Sequence, residues 1–92
     1  MAKVILIALG GNAIKQANEK GTSEEQFKNC WNTTKHISEI VKSLDKEDRL
    51  VITHGNGPQV GNLMVQQKLS QDVVPAHSMD VVGAMTQGQI GY

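Results

Sequence analysis

Two short stretches carry residue types and spacings suited to handling a negatively charged group. The first, Gly10-Gly11-Asn12, follows the apolar run Val4 to Leu9. The second, Thr53-His54-Gly55-Asn56-Gly57-Pro58-Gln59-Val60-Gly61, follows Leu50-Val51-Ile52. Each reads as a buried strand, a glycine-rich turn and the start of a helix. That order puts backbone N–H groups and a positive helix end at the carboxyl edge of a sheet, where anions, phosphate above all, are held. Backbone amides at Gly10, Gly11, Gly55, Asn56 and Gly57, with the side-chain amides of Asn12 and Asn56, would be the donors. Phosphoryl transfer asks for this kind of positioning and charge stabilisation more than for covalent chemistry. Neither turn holds a Lys or Arg, and Lys15 lies beyond the first, so balancing positive charge must come from elsewhere. An ordinary strand-to-helix turn explains Gly10-Gly11 about as well.

Other chemistries find less support. No Gly-Lys-Ser/Thr is present, so the chain lacks a P-loop. A dinucleotide fingerprint needs G-x-G-x-x-G after the first strand, where this chain reads Gly-Gly-Asn-Ala. Gly55-Asn56-Gly57 begins a G-x-G but meets Val60 where the last glycine belongs. His54 sits where a base or phosphorylated intermediate would stand, although a histidine at a strand end is more often a hydrogen-bonded structural residue. No Ser/His/Asp order or carboxylate pair rises above chance, and no Cys/His cluster has zinc spacing.

The elements that must position these turns follow from periodicity. Val4 to Leu9 is an uninterrupted apolar run, the pattern of a strand buried on both faces in a parallel sheet. Gly10-Gly11 would permit backbone angles closed to other residues, and Asn12 tolerates left-handed geometry. Residues 15–22 read as a loop or a frayed short helix. Ser23-Glu24-Glu25-Gln26 reads as a capping box, with Ser23 and Gln26 as its partners. Behind it Phe27, Cys30, Trp31, Thr34, Ile37, Ile40, Val41 and Leu44 form an apolar stripe that would dock a long helix on the sheet; Trp31 and Cys30 are thereby assigned to the core. His36 falls on the solvated side. Asp45 to Arg49 is a charged surface turn, and Leu50 to Thr53 the second strand. Strand, helix, strand is a βαβ unit with parallel strands, so both glycine turns leave the sheet at the same edge. Pro58 suits a first helical position, and Gly61 marks a close backbone approach. Residues 70–76 are a loop, Ser78 caps a last helix, and Gly83, Ala84, Gly88 and Gly91 give that helix small faces for tight packing.

The whole-chain properties set limits. Ninety-two residues make at most one small domain. Nine basic residues balance nine acidic ones, and Phe, Trp and Tyr occur once each. That composition argues against nucleic acid and against an anionic membrane as partners. Cys30 is alone, excluding an intrachain disulfide, and the six-residue run at the N-terminus is too short for a signal peptide or a membrane span. A reducing cytoplasm is the expected compartment. The last helical pattern runs to Tyr92 with no cap or breaker, the expectation being a truncated chain.

Three blocks together carry a resemblance. They are Ile7-Ala8-Leu9-Gly10-Gly11-Asn12-Ala13, then Val51 through Leu63, then Asp80 through Tyr92 with Gly83-Ala84-Met85-Thr86-Gln87-Gly88-Gln89-Ile90-Gly91-Tyr92. In this order they resemble the carbamate kinases of the amino-acid kinase family. Other members usually carry a lysine two residues before the Gly-Gly pair, whereas this chain has Ala8, as carbamate kinases do. The resemblance implies an α/β fold, a three-layer αβα sandwich with a mostly parallel sheet, of which residues 1–92 would be the N-terminal, carbamate- and phosphate-binding part. It implies reversible phosphoryl transfer between ATP and carbamate, giving carbamoyl phosphate and ADP, with Mg2+, in a cytoplasmic homodimer. By position, Gly10, Gly11 and Asn12 would be catalytic contacts to phosphate, and Gly55, Asn56 and Gly57 substrate-binding residues beside carbamate. The family's nucleotide-binding part, catalytic lysines and metal-linked aspartate would lie beyond Tyr92, leaving no metal ligand in this chain and the chain alone inactive. Two rivals remain: another amino-acid kinase subfamily, and a non-catalytic anion-binding or oligomerising module.

Overall fold

The structure is a computed structural model that describes residues 2–92, with Asn12 described in its backbone only. The elements run β1 (Val4–Leu9), a short 3-10 turn (Gly11–Ala13), α1 (Ser23–Lys42), β2 (Arg49–His54), α2 (Gly57–Ser70) and α3 (Met79–Gly91). Two compact units divide between Gly55 and Asn56.

In the first unit β1 and β2 pair in parallel, in register from Val4 with Arg49 to Leu9 with His54. The βαβ expectation therefore holds, with β2 one residue longer at each end than its apolar core suggests. The expectation that β1 is buried on both faces does not. Ile5, Ile7 and Leu9 are half-buried, whereas Val4 and Leu6 are 70% and 64% exposed. A unit with one long helix can cover only one face of its sheet, so a continuous apolar run takes on alternating burial.

The N-terminal edge is held by Asp48, read from sequence as part of a wet turn but buried. Its carboxylate accepts from the Lys3 amide at 3.0 Å and the Asp45 amide at 2.8 Å, and pairs with Lys3 Nζ at 3.3 Å. These contacts, the bond to the Asp45 amide first, hold the Asp48 carboxyl below the ordinary carboxylate range.

The capping box of α1 lies one residue earlier than its sequence assignment. Thr22, in extended geometry, is the cap. Its hydroxyl accepts from the Glu25 amide at 3.1 Å, and the Glu25 carboxylate accepts from the Thr22 and Gly21 amides at 2.9 Å each. A charged acceptor makes stronger hydrogen bonds than a neutral amide oxygen, which favours Thr22/Glu25 over Ser23/Gln26. Gly21 has φ 86°, the only positive φ among the described residues.

The helix face differs too. Phe27 and Trp31 are 59% and 66% exposed, while Asn29 and Ile37 are buried and Gln26, Cys30 and Thr33 half-buried. The inner face is thus turned by about one residue, roughly 100°, from the apolar stripe. Polar bonds explain the turn: Asn29 Nδ2 donates to Ile14 O and to Glu19 Oε1, both at 2.7 Å, and Gln26 Nε2 donates to Gly21 O at 2.7 Å. Length contributes as well, because a 20-residue helix runs about 30 Å and a six-residue strand about 20 Å. Trp31 is therefore a surface residue, with Lys35 Nζ 5.4 Å from its ring centre. His36 is exposed as expected.

In the second unit α2 and α3 pack together. Pro58 is the second residue of α2, not the first. Ser78 occupies the cap position of α3, but its hydroxyl donates to the Asp80 carboxylate instead of accepting from a first-turn amide. A Cβ placed on Gly61, Gly83, Gly88 or Gly91 would meet no described atom within 4 Å. The close approaches expected at these glycines are therefore not made within the described residues. No described helix is long and apolar enough to cross a membrane.

Candidate functional site

The two glycine turns leave the sheet at one edge. Leu9 and His54, the last strand residues, are register partners, and the Gly55 amide adds one more rung by donating to Leu9 O at 2.7 Å. A Cβ built on Gly55 would stand 3.3 Å from Gly11 N and 3.8 Å from Gly10 Cα. These neighbours are backbone, so they cannot swing aside as a long side chain would. Gly55 is a glycine because two main chains pass at that spot.

The first turn earns its glycines differently from the expectation. Gly10 is extended at φ −74°, ψ 159°, a conformation open to any residue, and no non-glycine residue among those described has positive φ. What matters is approach, not forbidden angles. The Ala13 amide donates to Gly10 O at 2.9 Å, and the Ile14 and Lys15 amides donate to Gly11 O at 3.1 and 3.0 Å. In such a turn the leading N–H groups have no carbonyl behind them, and the Gly11 amide makes no hydrogen bond among the described residues. The turn is anchored from outside by Asn29, which holds Ile14 O, and by Ile14 itself, 3% exposed. The side chain of Asn12, a candidate donor, lies outside what is described.

The second turn corrects the role of Asn56. It is the cap residue of α2, yet its side chain makes no bond to the first turn. Its Nδ2 donates instead to Thr86 Oγ1 at 2.8 Å and to Gly83 O at 3.3 Å, both on α3. The amide protons assigned to an incoming anion are therefore engaged within the protein. The Gly57 N–H heads α2 without a side-chain cap, and Pro58 behind it has no N–H to give. Positive helix-end potential remains here even with Asn56 engaged.

The His54 ring lies half-buried with Nδ1 3.2 Å from Gly55 O, a contact that steadies the second turn when Nδ1 carries the proton. Cys30 is half-buried, and burial raises its thiol pKa, the opposite of nucleophile activation. Among the described residues no three His, Cys, Asp or Glu come together in a way that could hold a metal ion.

Residues 3–91 match the family model described as the amino acid kinase family. The chain belongs to the amino acid kinase family. A carbamate kinase of Thermococcus kodakarensis is 56% identical over 92 residues, covering 98% of this chain and 29% of that protein. A carbamate kinase of Pyrococcus horikoshii is 47% identical over 94 residues, covering 100% of this chain and 29% of that protein. Among solved structures, a carbamate kinase from Giardia lamblia bound to AMP-PNP superposes with a TM-score of 0.89 at 44% identity, over 99% of this chain and 31% of that one. The chain thus spans a little under a third of the length of these relatives. The α/β reading with a parallel sheet holds, and within this amino acid kinase segment the described residues form a two-stranded sheet with three helices.

Two residues that hold the turns of this chain in place, Asn29 and Thr86, are not singled out by the apolar pattern. Both are buried, Thr86 completely. A polar residue at the centre of a helix was the available signal, since such a side chain is either exposed or bonded. Choosing between those outcomes takes the fold.

Proposed function

We propose that this chain supplies the phosphate- and acceptor-binding turns of a carbamate kinase, the enzyme class that passes a phosphoryl group between ATP and carbamate. One observation carries the reading: the backbone of Gly55 runs against Gly10 and Gly11 at the carboxyl edge of the β1–β2 pair. Main-chain donors gathered at that edge can bind an anion. The amide of Gly11 would donate to an oxygen of the phosphoryl group, stabilising charge that spreads over it as the group moves. Gly10, Asn12, Gly55 and Asn56 would complete the two turns around phosphate and carbamate. The names of the relatives support the choice of acceptor, as does Ala8 where other subfamilies usually place a lysine.

Magnesium would accompany ATP or ADP and neutralise phosphate charge. The described residues do not form a metal site, so no step is routed through the metal in this chain. ATP and ADP, carbamate and carbamoyl phosphate are the proposed small-molecule partners, in a cytoplasmic homodimer. Lysines and metal-binding carboxylates would come from outside these 92 residues, so the chain alone is expected to make no ATP from ADP, magnesium and carbamoyl phosphate.

Nuclear magnetic resonance titration tests the binding role. Inorganic phosphate or carbamoyl phosphate should shift the backbone amides of Gly10 to Asn12 and Gly55 to Gly57. Unmoved amides at all six positions would remove the proposal.

A further inference from the structure

The contact between Asn56 and α3 decides which end of the Asn56 amide is offered to a ligand. The Thr86 hydroxyl donates to Gly83 O at 2.9 Å, so its only proton is spent. Toward Asn56, Thr86 Oγ1 can then only accept, at 2.8 Å, and Gly83 O, 3.3 Å away, is a carbonyl and never donates. Two acceptors require both protons of the Asn56 amide. The reversed amide would set Asn56 Oδ1 against the Gly83 carbonyl oxygen, lone pair against lone pair. Thr86 is 0% exposed, so water cannot replace it in the arrangement.

We propose that Thr86 is a positioning residue: with Gly83 O it binds both amide protons of Asn56 and so leaves Asn56 Oδ1 as a fixed hydrogen-bond acceptor for the acceptor substrate. This inference rests on the carbamate-kinase reading and gives Asn56 a role opposite to that of an anion donor. An acceptor oxygen beside an anion-binding turn selects a molecule that carries an N–H next to its acidic group. Carbamate and carbamoyl phosphate have that N–H. Acetate and acetyl phosphate have nearly the same shape with a methyl group in its place, and a methyl group cannot donate. A polar group left unmatched on binding lowers affinity.

The test uses the 92-residue chain and its Thr86→Val and Thr86→Ser variants. Without ligand, the Asn56 side-chain NH2 resonances should exchange slowly with water in the wild type and in Thr86→Ser, and markedly faster in Thr86→Val, which keeps the shape and loses the hydroxyl. Unchanged Asn56 exchange in Thr86→Val would overturn the positioning role. If Thr86→Val does not fold, Thr86→Ser alone still decides: loss of the slow Asn56 protons in a folded variant that keeps the hydroxyl overturns it, and their retention supports it. With ligand, carbamoyl phosphate should bind the wild type about tenfold more tightly than acetyl phosphate, the worth of one hydrogen bond. The preference should survive in Thr86→Ser and narrow towards unity in Thr86→Val. Equal affinities in the wild type, with Gly10 and Gly11 amides shifting for both, would refute the acceptor role of Oδ1 while leaving the phosphate site intact. Silence of Gly10 and Gly11 toward both ligands would refute the carbamate-kinase reading, and with it the ligand role, while the exchange measurement decides the positioning role separately.

Discussion

Gly55 and Asp48 stand at opposite ends of β2, and each holds its end through the main chain of β1's neighbourhood. A methyl group on Gly55 would meet Gly11 N at 3.3 Å, tighter than most real contacts and against atoms that cannot rotate away. Gly55→Ala should therefore destabilise the chain by about 1–3 kcal/mol, the usual range for overpacking, and displace the Gly10 and Gly11 amide resonances. Gly57→Ala, whose methyl would meet no described atom within 4 Å, should cost almost nothing. Urea melts of both variants check the contrast, and equal costs would refute it. For Asp48 the sign follows from its lowered pKa. Folding holds the carboxylate in its charged form, so its contribution is full above the unfolded-state value, about 4, and is lost as the pH falls through the lower folded-state value. Asp48→Asn should be less stable than the wild type at pH 7, and the gap should close in melts at progressively lower pH below about 4. A gap that persists in strong acid would assign the loss to packing instead of charge.

At the scale of elements, α1 is organised by its start. Thr22 and Glu25 close the capping box, and Glu25 is held below its ordinary pKa first by the Thr22 amide. Replacing a capping Ser or Thr by Ala costs about 1 kcal/mol, so Thr22→Ala should lose that amount. Ser23→Ala, one position inside the helix, should lose far less. Denaturation of the two single variants reads the register directly, and the reverse order would return the cap to Ser23. The same helix positions the first turn through Asn29, which reaches Ile14 O. Helix register, set by the cap and the Asn29 bonds, thus sets where the Gly10–Asn12 turn can lie. On α3, Thr86 does the corresponding work for the second turn.

Over the whole molecule, the described surface carries much apolar area. Val4, Leu6, Phe27, Trp31, Leu69, Val73 and Tyr92 are among its large exposed apolar residues, and the two-stranded sheet has unpaired edges. Exposed apolar patches and open edges drive association. The isolated 92-residue chain should accordingly self-associate at micromolar concentration in sedimentation velocity. Trp31→Ser should weaken that association at little cost to the fold, because its ring is 66% exposed. A monomer with a cooperative, high-temperature melt would count against this expectation.

Local pattern and chain order were enough to reveal β1, the presence of α1 though not its cap, the second strand and the two glycine turns on one edge. Each follows from short-range sterics, or from the rule that a crossover returns strands in parallel. The apolar residues of α1 could not say which face lies inward, because Asn29 and Gln26 bind specific carbonyls that periodicity does not register. Burial of Asp48 and Thr86, the close pass of Gly55 over Gly11, and the polarity of the Asn56 amide were decided only by the tertiary structure. Each depends on an atom from a distant part of the chain, and hydrogen bonding and close packing act between neighbours in space, whatever their separation in sequence.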